Sequence, residues 1–203
     1  MSFPRASVLA LCTVALACGG HAAPLHAIGA VVDEFHGVKV YYNGTMLHSS
    51  GRHLAPDGYN LGIRYQCVEF VKRYYYERFG LEMPDARGNA KDFFDPAVAD
   101  GALNAKRGLL QYRNGSVRAP RPEDLIVLGP ALLNPYGHVA IVSRVDAGSV
   151  EVVQQNPGPL VGSRRNFKLL HEAGRWRVDD ARVLGWLRLP PGRAAARGAA
   201  SSR

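Results

Sequence analysis

Cys67 stands in the run Gly62-Ile63-Arg64-Tyr65-Gln66-Cys67-Val68-Glu69-Phe70-Val71-Lys72-Arg73-Tyr74, whose apolar spacing predicts a helix beginning at the cysteine. The first turn of a helix presents unpaired N–H groups and about half a positive charge, so the pKa of a thiol there is expected below its free value. Downstream, Gly137-His138-Val139-Ala140-Ile141-Val142 places a histidine at the head of an apolar strand, and Val152-Val153-Gln154-Gln155-Asn156-Pro157 supplies side-chain amides. A thiol, an imidazole and a polar orienting group are the parts of an acyl-transfer site. His138 would take the proton of Cys67, the sulfur would attack an amide carbon, and water would later release the acyl group. Taken alone, Cys67 reads as a buried, inert cysteine and His138 as a half-buried histidine with satisfied hydrogen bonds. The three segments together favour chemistry.

The turn Asp146-Ala147-Gly148 yields a register for the last two segments. A three-residue hairpin loop sets Val145 opposite Ser149, Ala140 opposite Gln154 and His138 opposite Asn156. Parity then puts His138, Gln154 and Asn156 on one side of the sheet, where either amide can reach the imidazole. A turn of two or four residues would remove both. A neutral amide can fix the ring's orientation and tautomer but cannot stabilise an imidazolium by charge, a loss that matters less for cysteine than for serine. The backbone N–H of Cys67 is one oxyanion donor; the preceding loop or Gln66 is the candidate for a second, or else Gln66 caps the helix. Glu69, two residues past Cys67, points away from the thiol and is expected to be structural.

In this order, the three segments resemble the family of cysteine, histidine-dependent amidohydrolases/peptidases, the CHAP domains, and within it the subgroup containing the amidase half of glutathionylspermidine synthetase/amidase. The likeness runs from Gly37-Val38-Lys39-Val40-Tyr41-Tyr42-Asn43-Gly44 through Asn114-Gly115-Ser116-Val117-Arg118-Ala119-Pro120 to Leu184-Gly185-Trp186. It implies a papain-like fold, Cys67 as nucleophile and His138 as general base. Where the family usually has a glutamate followed two residues on by an asparagine, this chain has Gln154 and Asn156.

The elements that must position these groups fall into two halves. Val38 to Tyr42 reads as a strand, 49–62 as a Gly/Asn/Asp-rich loop, Gln66 to Phe79 as a helix stopped by Gly80, and Asn89 to Phe94 as a shorter helix. Cys67, Phe70, Val71, Tyr74 and Arg78 share a helical face, which aims the thiol at the seam with the second half. There Leu125 to Leu128, His138 to Val145, Val150 to Gln155, Arg175 to Val178 and Val183 to Leu189 are strand-like, an antiparallel sheet, with Trp176 and Trp186 in the core. Helices followed by strands give an α+β class, with about 165 residues in one domain, 24–189.

The formal charge of +8 is no nucleic-acid signal. Arg5, Arg193, Arg197 and Arg203 lie near the two ends, and without them 21 basic residues face 17 acidic ones, with no basic cluster interleaved with aromatics. His36, His48, His53 and His171 lack metal-ligand spacing, so neither a metal nor another cofactor is expected. Residues 1–23 have a charged head, an apolar stretch from Val8 to Ala17 and small residues at Gly20 to Ala23, the layout of a secretory signal. Leu16-Ala17-Cys18 is a degenerate lipoprotein box, and only lipidation there would bring membrane attachment. Positions 190–203 read as a disordered tail. A single unpaired thiol in an oxidising compartment suggests a use for it. The expected protein is a monomeric cysteine amidase or endopeptidase, secreted, periplasmic or held at the envelope, acting on peptidoglycan. The alternatives are a glutathionylspermidine-type amidase and a wall-binding protein with an inactive site.

Overall fold

The computed structural model describes residues 26–85, 87–158 and 161–193. The expected signal segment, Cys18 and the tail beyond Arg193 lie outside them. Four short strands precede the helix: β1 (Val31–Phe35) pairs with β2 (Val38–Tyr41), and β3 (Arg52–Leu54) with β4 (Asn60–Ile63), both antiparallel. Among the described residues the one α-helix, α1, is Cys67–Phe79, and Gly80 ends it in the left-handed conformation at φ 64°, its N–H bonded to Tyr76 O. That conformation costs glycine little, so it stops the helix as expected.

The second expected helix is one 3-10 turn, Ala90–Phe93, closed by the reciprocal bonds of Asn89 and Asp92. The remaining strands are β5 (Leu103–Asn104), β6 (Leu109–Arg113), β7 (Leu125–Leu128), β8 (His138–Asp146), β9 (Ser149–Val153), β10 (Arg164–Glu172), β11 (Arg175–Val178) and β12 (Val183–Arg188). They form one antiparallel sheet in the order β11-β10-β9-β8-β7-β12-β6-β5. The class is α+β, a helix packed on an antiparallel sheet. The expectation of helices first is corrected, because the loop read over 49–62 contains the β3–β4 hairpin and strands lead the chain.

The sheet is apolar on both faces. Phe70, Val71 and Tyr74 of α1 pack with Leu125, Val127, Val139, Ile141 and Val153 on one side. Ile126, Ala140, Val142, Val152, Phe167 and Trp186 pack on the other. Each fully buried side chain of this kind contributes about 1.5–3 kcal/mol. α1 is therefore fixed along its length, with its first residue held over the start of β8.

The β8–β9 turn differs from expectation in a way that leaves the site unchanged. Asp146 pairs with Ser149, so the loop has two residues, and Val145–Val150 and Arg144–Glu151 follow in that register. A bulge at Ser143 then shifts the pairing to Val142–Val152 and Ile141–Val153. From there inward the register is the one a three-residue loop would have set. Two opposite one-residue displacements cancel before the strand reaches His138.

Candidate active site

Cys67, His138, Gln66 and Asn156 line one half-open groove of about 710 Å³. Its walls come from 46–49, the β3–β4 hairpin, 87–90 and 134–138. Gly137 makes the last of these possible. It adopts φ 75°, and a Cβ there would stand 2.5 Å from Leu128 O and 3.0 Å from Lys91 N, so only glycine allows the chain to pass so close before His138.

The His138 ring is oriented from behind. Its Nε2 lies 3.1 Å from Gln154 Oε1, while Gln154 Nε2 donates to Gly162 O at 3.0 Å. With the amide's N–H end held by a carbonyl, its oxygen must face the ring and accept from Nε2–H. This tautomer leaves Nδ1 as an acceptor. Burial lowers the imidazole's pKa to about 4, so the ring is neutral at pH 7.

The thiol corrects the electrostatic expectation. Burial pushes Cys67 up to about 11, and the backbone N–H groups of Val139, Val68 and Cys67 that point at the sulfur only partly offset this. The helix terminus does supply N–H groups, as its position predicts, but desolvation of the anion outweighs them. Burial thus disfavours the charged form of both groups on this groove, the thiolate and the imidazolium alike.

Of the two expectations for Gln66, the structure meets the capping one by position and leaves no N–H for an oxyanion. Its backbone N–H donates to Ile63 O at 2.8 Å, and its side-chain Nε2 donates to Met46 O at 3.1 Å and His48 O at 2.7 Å. Every N–H it owns is engaged, so none is left for an oxyanion. It occupies the N-cap position without a side-chain cap bond. Its role is to hold the 46–48 wall of the groove.

Asn156 does not face His138 either, because β9 ends at Val153 and Asn156 has turned to φ 54°. Its Nδ2 donates to Gln66 Oε1 at 2.8 Å and to Met46 O at 3.0 Å. It thus fastens Gln66 and the groove wall together, while Gln154 alone touches the base.

The sequence reading missed Gln155. Its buried amide donates to Gln66 O at 3.1 Å and to Glu69 Oε2 at 2.7 Å, and its oxygen accepts from Tyr41 N at 2.8 Å. Glu69 is completely buried and also receives His53 Nδ1 at 2.8 Å and Arg73 Nε at 2.6 Å. Burial alone would raise its pKa, but these hydrogen bonds and the charge of Arg73 hold it below the ordinary value. Three consecutive amides therefore do three jobs: Gln154 orients the imidazole, Gln155 ties down the first turn of α1, and Asn156 holds Gln66.

The chain is similar in sequence to several known proteins. Residues 56–156 match the model of the CHAP domain, a span that takes in Cys67, His138, Gln154 and Asn156. A trypanothione synthetase of Crithidia fasciculata is 30% identical over 163 residues, which are 75% of this chain and 25% of that protein. The bifunctional glutathionylspermidine synthetase/amidase of Escherichia coli (strain K12) is 29% identical over 138 residues, 63% of this chain and 22% of that protein. The chain spans about a quarter of the length of these relatives. Among solved structures, the endolysin LysIME-EF1 aligns with a TM-score of 0.39 at 23% identity, over 73% of this chain and 60% of that one. With its helix-borne cysteine, strand-borne histidine and the match across both, the chain belongs to the CHAP domain family.

Proposed function

We propose that the protein is a cysteine amidohydrolase that cleaves amide or peptide bonds of peptidoglycan through an acyl-thioester. The observation carrying this reading is that Cys67 and His138 share the groove while Gln154 holds the far nitrogen of the imidazole, leaving Nδ1 free to accept. The thiol proton passes to His138 as Sγ bonds to the carbonyl carbon. The imidazolium then protonates the departing amine, and water, deprotonated by His138, releases the acid and restores the thiol. The backbone N–H of Cys67 is one donor to the oxyanion. Since burial disfavours the charged form of both partners, proton transfer accompanies attack.

Peptidoglycan as substrate is supported by the half-open groove, which admits a branch of a polymer, and by the export signal read over residues 1–23. The second reading, a glutathionylspermidine-type amidase, is favoured by the names of the curated relatives. It asks the groove to accept a polyamine leaving group. Among the described residues the groove lining includes Arg52 and Arg87 and no carboxylate, a poor setting for a polycation.

Incubation of purified protein with isolated sacculi, followed by mass spectrometry of the soluble products, tests the reading. The wild type is expected to release muropeptides with a new amine and carboxyl end, and Cys67→Ala and His138→Ala to release none. Hydrolysis of a glutathionyl-polyamine amide with sacculi left intact would establish the second reading instead.

A further inference from the structure

Arg52 and Arg87 are the only side chains of fixed charge that line the groove among the described residues, and both are exposed. Arg52, on β3, lines the groove and donates one bond from Nη1 to Asn60 Oδ1 at 3.2 Å, which fixes one end of the guanidinium. Arg87 is held by its backbone, its N–H donating to Asp85 Oδ1 at 2.8 Å and its carbonyl accepting from Arg107 at 3.2 Å. Neither guanidinium forms an ion pair with a described residue.

The nearby carboxylates are turned to other partners. Asp92 accepts from Asn89 N, and Glu69 is enclosed by His53, Arg73 and Gln155. Behind this wall lie two further cations whose hydrogen bonds go to backbone carbonyls, with the charges of Asp85 and Asp92 acting on them from nearby. Lys72, buried, donates to Asn60 O and lies over the Tyr59 ring at 4.6 Å. Arg107, also buried, donates to the carbonyls of Asp85, Arg87 and Asp92 at 2.7, 3.2 and 3.0 Å. Burial and the charges of Arg107 and Arg52 push Lys72 down to about 8. Asp85 and Asp92 act by charge on the two buried cations, while Arg52 and Arg87, at the surface of the groove, form no ion pair with a described residue.

Resting on the amide-hydrolase reading, we infer that Arg52 and Arg87 are specificity residues that hold a carboxylate of the substrate, selecting an acidic peptide. Guanidinium suits this task because its planar N–H groups meet a carboxylate with two parallel bonds, and a groove partly shielded from water strengthens the contact. Arg107 positions Arg87 through the backbone it holds.

Two stem-peptide muropeptides serve as the test, identical except that a carboxylate beside the scissile bond is a carboxamide in one. The wild type should prefer the acid about tenfold in kcat/KM, through KM, and the preference should fall as salt is raised. Arg52→Gln and Arg87→Gln should each reduce the preference several-fold and together bring it to about one. Arg52→Lys and Arg87→Lys should keep part of it, and Arg144→Gln, on the distant hairpin, all of it. Calorimetric binding of both muropeptides to Cys67→Ala measures recognition without turnover. Arginine-dependent preference in binding, with no cleavage by the wild type, would uphold the carboxylate site and reject the hydrolase reading. Equal binding of the two muropeptides, or a preference that survives the double glutamine variant, would overturn the proposal.

Discussion

At the scale of residues, the proposed chemistry depends on two groups whose charged forms burial disfavours, and this has measurable consequences. Because the Cys67 thiol sits near 11, its alkylation by iodoacetamide at pH 7 should be at least tenfold slower than that of a model thiol, rising only at alkaline pH. A faster reaction would reveal a thiolate that the geometry does not support. The base must be neutral to accept a proton, and burial places His138 near 4, so the acid limb of kcat/KM should lie near pH 4, with activity lost as pH falls through it. Gln154→Glu puts an anion against the ring and should raise that pKa by about one to three units. The acid limb then moves to higher pH, and Cys67 becomes more reactive as an ion pair becomes accessible. Gln154→Ala should cost about tenfold or more in kcat, since the ring loses its tautomer and aim. Asn156→Ala, which frees Gln66 and the groove wall, should act mainly on KM. The identities of Cys67, His138 and Gln154 were legible from residue type and spacing. The sign of the thiol's pKa shift was not, because a helix terminus is a local feature and desolvation depends on what the whole fold packs over it. Gln155 escaped for a related reason. Reasoning from strand parity followed the residues on the imidazole's side and ignored the one between them, which faces the helix.

At the scale of elements, the helix start is held by a buried polar cluster rather than by a capping side chain. Glu69→Ala would leave Arg73 buried without its anion and His53 and Gln155 without an acceptor, a loss of about 3–5 kcal/mol. The folded pKa of Glu69 is depressed, so its contribution is present above the unfolded carboxylate range and disappears as pH falls through the folded value. Thermal melts of the wild type and Glu69→Gln across pH 3 to 7 should therefore converge at the acid end; parallel curves would show that Glu69 carries no such linkage. Gly137→Ala should lower stability by about 2 kcal/mol or more and displace His138, since the added carbon would lie 2.5 Å from Leu128 O. Strands built on apolar runs, such as β8 and β12, were readable in the sequence. β6 was not, because its fully buried Gln111 binds Asn104 and the 95 backbone, and a polar core residue interrupts the apolar pattern. β10 was hidden by Arg164, Arg165 and Lys168, charges that a strand near the sheet's edge can carry to solvent.

At the scale of the whole molecule, the α+β class followed from the order of patterns, while the full eight-stranded order did not, since pairings such as β7 with β12 join segments far apart in the chain. The hairpin shows how distant parts of the fold can be insulated from one another. Nine residues separate Val142 from Val152, and a two-residue turn between fully paired strands requires an even number, so the bulge at Ser143 absorbs the odd one. Hairpin length is thereby decoupled from catalytic register. Removing Ser143 leaves eight residues, and one insertion near the turn leaves ten; either can close on a two-residue turn with Val142 still opposite Val152. Insertions and deletions at this tip should be nearly neutral for activity, whereas the same change placed between Val142 and His138 would turn the imidazole to the wrong face. Relatives of this protein are free to vary in length at this tip, where the chain has a residue to spare.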